Sequence, residues 1–469
     1  MSQLSLRKRS SVSPDYTCQT LEFSPDLLAV HRAHPQRYPH LLESVAYGTS
    51  QARYDILFAF PEDTLSLQSG ERLLHDDGRT NVGDFLDEFE RKWRATSTSL
   101  PKPYDPRPLV PFTGGWFTYL GYELAGQVEP KLRFVVTDPN LPVACMVRVP
   151  AAIIRDHLTG ETYLMAESER AQTLIPEMCR DAQRRVSAMD IGIDVLDLVE
   201  DDPARYLSGV ERILAYIQAG DVFQVNLARA WQATLRDPVN AATLYDRLRR
   251  ANPAPFAGLM TFGPNNAIIS SSPERLVAVR QGRISTRPIA GTYPRSDNER
   301  QDQHWSRELL RHPKERAEHV MLIDLERNDL GRVCQTGSVE VKDFMVLESY
   351  RHVHHIVSEV VGVVRDDVTP GQIIRAVFPG GTITGCPKVR CMEIIAELES
   401  DPRGPYTGSM GYINRDGSMD LNILIRTMVL QDDRVHVRAG AGIVADSKPD
   451  RELQETRAKA KGMLAALEV

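Results

Sequence analysis

Residues 266–295, NAIISSSPERLVAVRQGRISTRPIAGTYPR, read as one β segment after another. Further strands are expected at His40–Ala46, Tyr54–Phe60, Phe112–Tyr122, Val143–Val149, Ala151–Asp156, Val353–Val363, Gly408–Ile413, Asn422–Val429 and Val435–Ala439. Helices are expected at Val82–Arg94, where Phe85, Phe89 and Trp93 recur every four residues, and over most of Glu167–Ile191. Another should start at the cap pair Asp202-Pro203 and stop at Gly220, and a charged helix should close the chain at Pro449–Leu467. Strands and helices do not alternate strictly, so the fold class expected is α+β with antiparallel sheets.

A chain of 469 residues is too long for one small core and compatible with one large domain or two. The acidic stretch Asp194–Asp202 reads as a linker. It divides the chain into a flexible tail at 1–19, an N-terminal region at 20–165, a helix and linker at 166–201, and a C-terminal domain at 202–469. A formal net charge of −7 argues against general nucleic-acid binding. No run approaches the roughly 18 apolar residues that span a bilayer, and the basic N-terminus has no apolar segment behind it. A cytoplasmic location without membrane partners is therefore expected. Six scattered cysteines without a C-x-x-C pair speak against a zinc site or a disulfide scaffold. The chain also lacks a G-x-S-x-G or G-x-C-x-G nucleophile elbow.

Chemistry concentrates in the C-terminal half. FPGGTITGCPKVRCMEIIAEL (Phe378–Leu398) is a glycine-rich turn, with Pro387 suited to the first turn of a helix. A bare backbone feeding a helix N-terminus is a ready anion site, and an ordinary loop is the plainer reading. Two Glu-x-x-Glu pairs, Glu315/Glu318 and Glu452/Glu455, could converge to offer hard oxygen ligands to Mg²⁺; alone, each pair reads as a solvated helix face. Lys459 shares a helix face with Glu452 and Glu455. His354 and His355 fall in a strand pattern, so at most one can face a common site. Arg426, inside the apolar run LNILIRTMV, needs an anionic partner if it points inward. Tyr412 and Lys388 are weaker candidates of the same kind.

Six stretches together carry a resemblance: FPGGTITGCPKVRCMEII, HHIVSEV, RPIAGTYPR, KERAEHVMLIDLERNDLGRV, GSMGYINRDGSMDLNILIRT and AGAGIVADSKPDRELQET. They resemble successive motifs of the chorismate-utilising enzymes, over about residues 203 to 462. HLLESVAYG and ARYDILFAF are similar, more loosely, to the N-terminal region of anthranilate and aminodeoxychorismate synthase large subunits. The resemblance implies two large antiparallel sheets packed as a sandwich with helices outside. It implies that Glu318, Glu452 and Glu455 hold Mg²⁺ with Glu315 beside them, the ion clamping the ring carboxylate of chorismate. Glu274 matches the general acid near the departing C4 hydroxyl, a role that needs a raised pKa. His355 would lie beside the ring. Gly291, Thr292, Thr382, Tyr412, Arg426, Gly440, Gly442 and Lys459 match positions that contact the substrate's carboxylate and pyruvyl groups, and Thr292 and Lys459 are counted with the catalytic set.

Two positions bear on the reaction. In relatives that add water, a lysine base stands at the position of Gln224; glutamine cannot deprotonate water, so ammonia is the implied nucleophile. It would come from a separate glutamine amidotransferase subunit. Ala290, in PIAGT, replaces the lysine with which many aminodeoxychorismate synthases attack the ring, and matches anthranilate synthases. GGTITG, VHHIVS, YTGSMGYI and LNILIRT match the aminodeoxychorismate branch instead, and SQARYDIL lacks the pattern expected after LLES in anthranilate synthases. The resemblance thus favours amination at C4, toward 4-aminobenzoate and folate. Amination at C2 with loss of pyruvate, toward tryptophan, is the alternative, and a non-catalytic chorismate-binding paralogue the third reading. Leu41–Ser44 resemble part of the tryptophan pocket of anthranilate synthases.

Overall fold

The structure is a computed structural model that describes residues 6–46, 52–98, 109–134, 141–184, 192–263, 265–296, 298–349 and 353–468. The proline-rich segment after residue 100 falls mostly outside them. Within these residues the chain forms two antiparallel sheets, of 13 and 12 strands, accompanied by 11 α-helices. The apolar cluster between the sheets, including Phe58, Phe112, Phe117, Tyr119, Ile154 and Ile268, contains no helical residue. Strand Gly115–Leu120 shows why it is buried throughout: Phe117 and Tyr119 face that interior, while Trp116 and Leu120 face a second core with the helix Phe85–Thr96. Side chains alternate across a strand, so an all-apolar strand needs a core on both faces.

Both sheets draw strands from both halves of the chain. His40–Glu43 pairs with Phe256–Thr261 in one, and Gly115–Leu120 with Ser409–Asn414 in the other. Two expectations are corrected here. Leu6–Val12, placed in a flexible tail, pairs antiparallel with Tyr16–Leu21. Val195–Glu200, placed in a linker, is a strand paired with the far end of Gln224–Leu235. Its acidic residues read as linker because an edge strand tolerates exposed charge.

The helix Pro203–Ala219 begins and ends as the cap residues dictate. The Asp202 carboxylate accepts from Ala204 N at 2.9 Å, and Gly220 closes the helix at φ 82°, a backbone angle that favours glycine. The last helix, Pro449–Ala465, packs on the strand Arg434–Ile443 and on the helix Pro203–Ala219. No helix among the described residues is long and apolar enough to cross a membrane.

Candidate active site

Glu274 follows the strand Asn266–Ser272 at the Ser272-Pro273 break and is buried. Its Oε1 accepts a hydrogen bond from Thr382 Oγ1 at 2.7 Å. Burial raises the Glu274 pKa to about 7, against the Thr382 bond and the positive charge of Lys459, which pull it down. A carboxyl with that pKa carries its proton at neutral pH in a substantial fraction of molecules, as a general acid must.

Thr382 belongs to the single turn Gly381–Ile383 of the glycine stretch. The stretch is a wall pinned to a sheet rather than an anion cradle. Gly385 and Cys386 pair with Val225 and Gln224, and Asn226 N donates to Thr384 O at 2.9 Å. At Gly385, with φ 129°, a Cβ would collide with the Gln224 carbonyl. The helix Lys388–Leu398 starts after Pro387, which caps it from outside rather than occupying its first turn.

Arg403 ties this wall to its surroundings. Its guanidinium makes two bonds to Glu399, at 2.6 and 2.9 Å, and donates to Ile383 O at 3.2 Å and Asn226 O at 2.8 Å. It stacks over Tyr122 and Tyr406. Glu399 also accepts from Ala228 N at 2.8 Å. A buried charge is tolerated when its partner and its remaining donors are satisfied in this way.

The last helix supplies Lys459, whose Nζ donates to Gly440 O at 2.9 Å and pairs with Glu455 at 2.7 Å. Arg426 donates through Nη1 to the backbone carbonyl of Lys459. Burial pulls the Arg426 pKa down, opposed by Tyr406 and Glu455. Arg426 does not lie in a strand, as its apolar neighbours suggested: Met419–Asn422 and Thr427–Gln431 are separate strands, and Arg426 between them has φ 53°. Tyr406 OH lies 2.7 Å from where a Cβ at Gly440 would be. Buried Tyr206 feels the charges of Glu452 and Glu455, so those two carboxylates approach the same region.

Gln224 Nε2 donates to Glu318 Oε1 at 3.2 Å, joining the first residue of the strand Gln224–Leu235 to the helix Pro313–Gly331. A Cβ at Gly442 would collide with that Gln224 amide. Gly291 has φ 66°, and a Cβ there would lie 2.8 Å from Glu315 Oε2. Ala290 is buried, and Thr292, described only in its backbone, pairs with His355 across neighbouring strands. The two histidines diverge as their strand requires. His354 contacts Ser349 Oγ at 2.7 Å and Asp302 Oδ1 at 3.0 Å, whereas burial lowers the His355 pKa to about 4. His355 is therefore a neutral imidazole at neutral pH.

Glu315, Glu318, Glu452 and Glu455 offer the hard oxygens that Mg²⁺ takes. Among the described residues, however, no group of three or more His, Cys, Asp or Glu stands ready to hold a metal ion. Glu318 is engaged with Gln224 and Glu455 with Lys459. The donors fit by chemistry but are not gathered, and a complete coordination shell would need oxygens from outside the chain.

Two weaker candidates have other partners. Tyr412 packs against Phe58 and Phe112 between the sheets and lines a cavity of about 60 Å³ with Leu42, Ser44, Arg275 and Asp420. This placement gives no support to a substrate contact. Lys388 is ion-paired with Asp329 at 2.6 Å. A larger cavity, about 1410 Å³, lies between the helix Pro313–Gly331 and the glycine stretch; Glu318, Phe223, Cys386 and Lys388 are among its lining residues. Sequence reasoning missed Arg403, Glu399 and Asn226. The spacing of four between Glu399 and Arg403 was a usable signal for the ion pair, but nothing local announces its burial.

A sequence profile of the family described as chorismate binding enzyme matches residues 42–465. The chain is 42% identical over 359 residues to an anthranilate synthase component I-like protein of Synechocystis sp., covering 76% of this chain and 74% of that protein. It is 36% identical to aminodeoxychorismate synthase component 1 of Bacillus subtilis, covering 93% of each. Among solved structures, anthranilate synthase component I from Streptococcus pneumoniae superimposes with a TM-score of 0.77 at 32% identity, covering 89% of this chain and 93% of that one. The protonatable buried acid, the pinned glycine wall and these matches have one common reading: the chain belongs to the family of chorismate-binding enzymes.

Proposed function

We propose that this chain aminates chorismate at C4 to give 4-amino-4-deoxychorismate, as an aminodeoxychorismate synthase component I. Ammonia would come from a separate glutamine amidotransferase subunit, as component I of such enzymes works with one. The observation that carries amination is the Gln224 amide, held by Glu318 and facing the glycines of the substrate side. An amide cannot accept a proton from water, whereas ammonia already has a nucleophilic lone pair.

In this reading Glu274 gives its proton to the departing hydroxyl, and Thr382 holds the carboxyl in place. Lys459 and Arg426 face the carboxylates of the substrate, and neutral His355 lies beside the ring without donating charge. Mg²⁺, held by Glu318, Glu452 and Glu455 with Glu315 nearby, would supply positive charge opposite the ring carboxylate. The C4 product is favoured over anthranilate by GGTITG and VHHIVS. A second reading, anthranilate synthase component I, is favoured by Ala290, which rules out a covalent lysine intermediate at that position, and by the names of the Synechocystis and Streptococcus relatives. Incubation with chorismate, Mg²⁺ and ammonium tests the reading. Chorismate should be consumed without any partner, glutamine should not replace ammonium, and binding without turnover would refute an enzyme.

A further inference from the structure

The strand Val195–Glu200 ends its sheet. It pairs on one side with Gln224–Leu235, and among the described residues no strand covers its other side. Asp201 N donates inward to Ala230 O at 3.0 Å, and backbone groups along an antiparallel ladder alternate between the two sides. The N–H and C=O of Leu198 and Glu200 therefore point outward, away from the sheet. Polar side chains normally make such an edge unattractive, yet Leu196, Leu198 and Val199 are 53%, 47% and 55% exposed. Leu198 stands opposite Ala233, on the face of the sheet that packs on the last helix. There it lines a groove of about 480 Å³ with Ile193, Leu464 and Leu467.

The acids of the strand decide what can pair with it. Glu200 is already neutralised within the chain, by Arg229 at 2.6 Å and Arg457 at 2.8 Å, and Asp194 by Arg236 at 2.5 Å. A second copy related by a two-fold axis lays the strand antiparallel on itself and continues the sheet with its faces unchanged. Residues of equal parity then face one another. Centred on Leu198, the pairing sets Leu198 on Leu198 of the second copy, Asp197 on Val199 and Leu196 on Glu200. No acid stands opposite an acid. Moving the centre by one residue sets Asp197 on Asp197 in one direction and Asp197 on Asp201 in the other. Like charges directly opposite destabilise a strand pair.

We propose that Val195–Glu200 is a dimer interface, at which two copies of this chain pair edge to edge about Leu198. The outward N–H and C=O of the two Leu198 residues satisfy each other there, and the two apolar grooves meet across the axis. The acids that guard the edge against other registers leave this one open. The pairing uses the end of Gln224–Leu235 opposite to Gln224, so it leaves the candidate active site uncovered.

Sedimentation velocity over a series of concentrations tests this. The wild type should approach twice the mass of the chain as concentration rises. Leu198→Lys sets two positive charges on the axis and should keep the mass of a single chain, with the denaturation midpoint of the wild type. Mild oxidation of Leu198→Cys should join two chains, because hydrogen-bonded partners lie about 5.5 Å apart between Cα atoms, within disulfide reach. Leu196→Cys should stay unlinked, since its two copies would lie about 13 Å apart along the strands. The wild type, with its six native cysteines, is the control for both. Should Leu198→Lys fail to fold, the cross-linking pair decides. A wild type that stays single at every concentration, a Leu198→Lys variant that still doubles, or linkage in Leu196→Cys but not in Leu198→Cys would overturn the proposal.

Discussion

Replacing Glu274 with glutamine keeps the shape of the side chain and removes its titration. Burial places the native pKa near 7, against an ordinary value of 4.5. The native state therefore holds the proton more tightly than the unfolded chain does. The associated stability is fully present below the unfolded pKa and is lost as pH rises through about 7. A shift of about 2.5 pKa units, at about 1.36 kcal/mol each, gives about 3 kcal/mol. Denaturant unfolding of wild type and Glu274→Gln, run side by side from about pH 4 to pH 8.5, isolates the group, because all other titrations are common to both proteins. The wild type should lose about 3 kcal/mol relative to the variant across that range. Turnover of the wild type should fall on the alkaline side with the same midpoint near 7, as the acid loses its proton. Two stability curves that stay parallel would show that Glu274 titrates as an ordinary exposed carboxylate, and its role as proton donor at neutral pH would go with that.

Arg403→Ala should destabilise the protein by about 3–5 kcal/mol, because it leaves the buried Glu399 carboxylate without its cation; a denaturation midpoint like that of wild type would show that the pair holds nothing in place. Glu455→Ala should abolish Mg²⁺-dependent turnover, and turnover that saturates at the same Mg²⁺ concentration as wild type would refute a metal role for this carboxylate. Chorismate binding measured in the same variant separates loss of the ion from loss of the substrate.

Much of the architecture is legible because its signals are local. Asp202, Pro203 and Gly220 mark both ends of one helix, and the β-rich run at 266–295 resolves into Asn266–Ser272, Arg275–Arg280, Arg283–Thr286 and Ile289–Pro294. Arg426 escapes that logic. Its neighbours alternate like a strand, and only the tertiary fold imposes the left-handed angle that breaks the strand in two. Tyr412 meets a related limit: a motif gives a residue's identity and spacing, not the face of the sheet toward which it packs, here against Phe112. Asn226 and Arg403 carry no motif that announces them. Their roles come from partners far along the chain, Gly440 for Asn226 and the Asn226 carbonyl, 177 residues away, for Arg403. Glu274 and Thr382 are recognisable in sequence, but their bond links residues 108 apart, and the raised pKa is a property of burial alone.

Product identification from chorismate and ammonium chloride, with Mg²⁺ and no partner subunit, tests the central claim most directly. The account predicts a product that yields 4-aminobenzoate only after an aminodeoxychorismate lyase is added. Fluorescent anthranilate released together with pyruvate would contradict it.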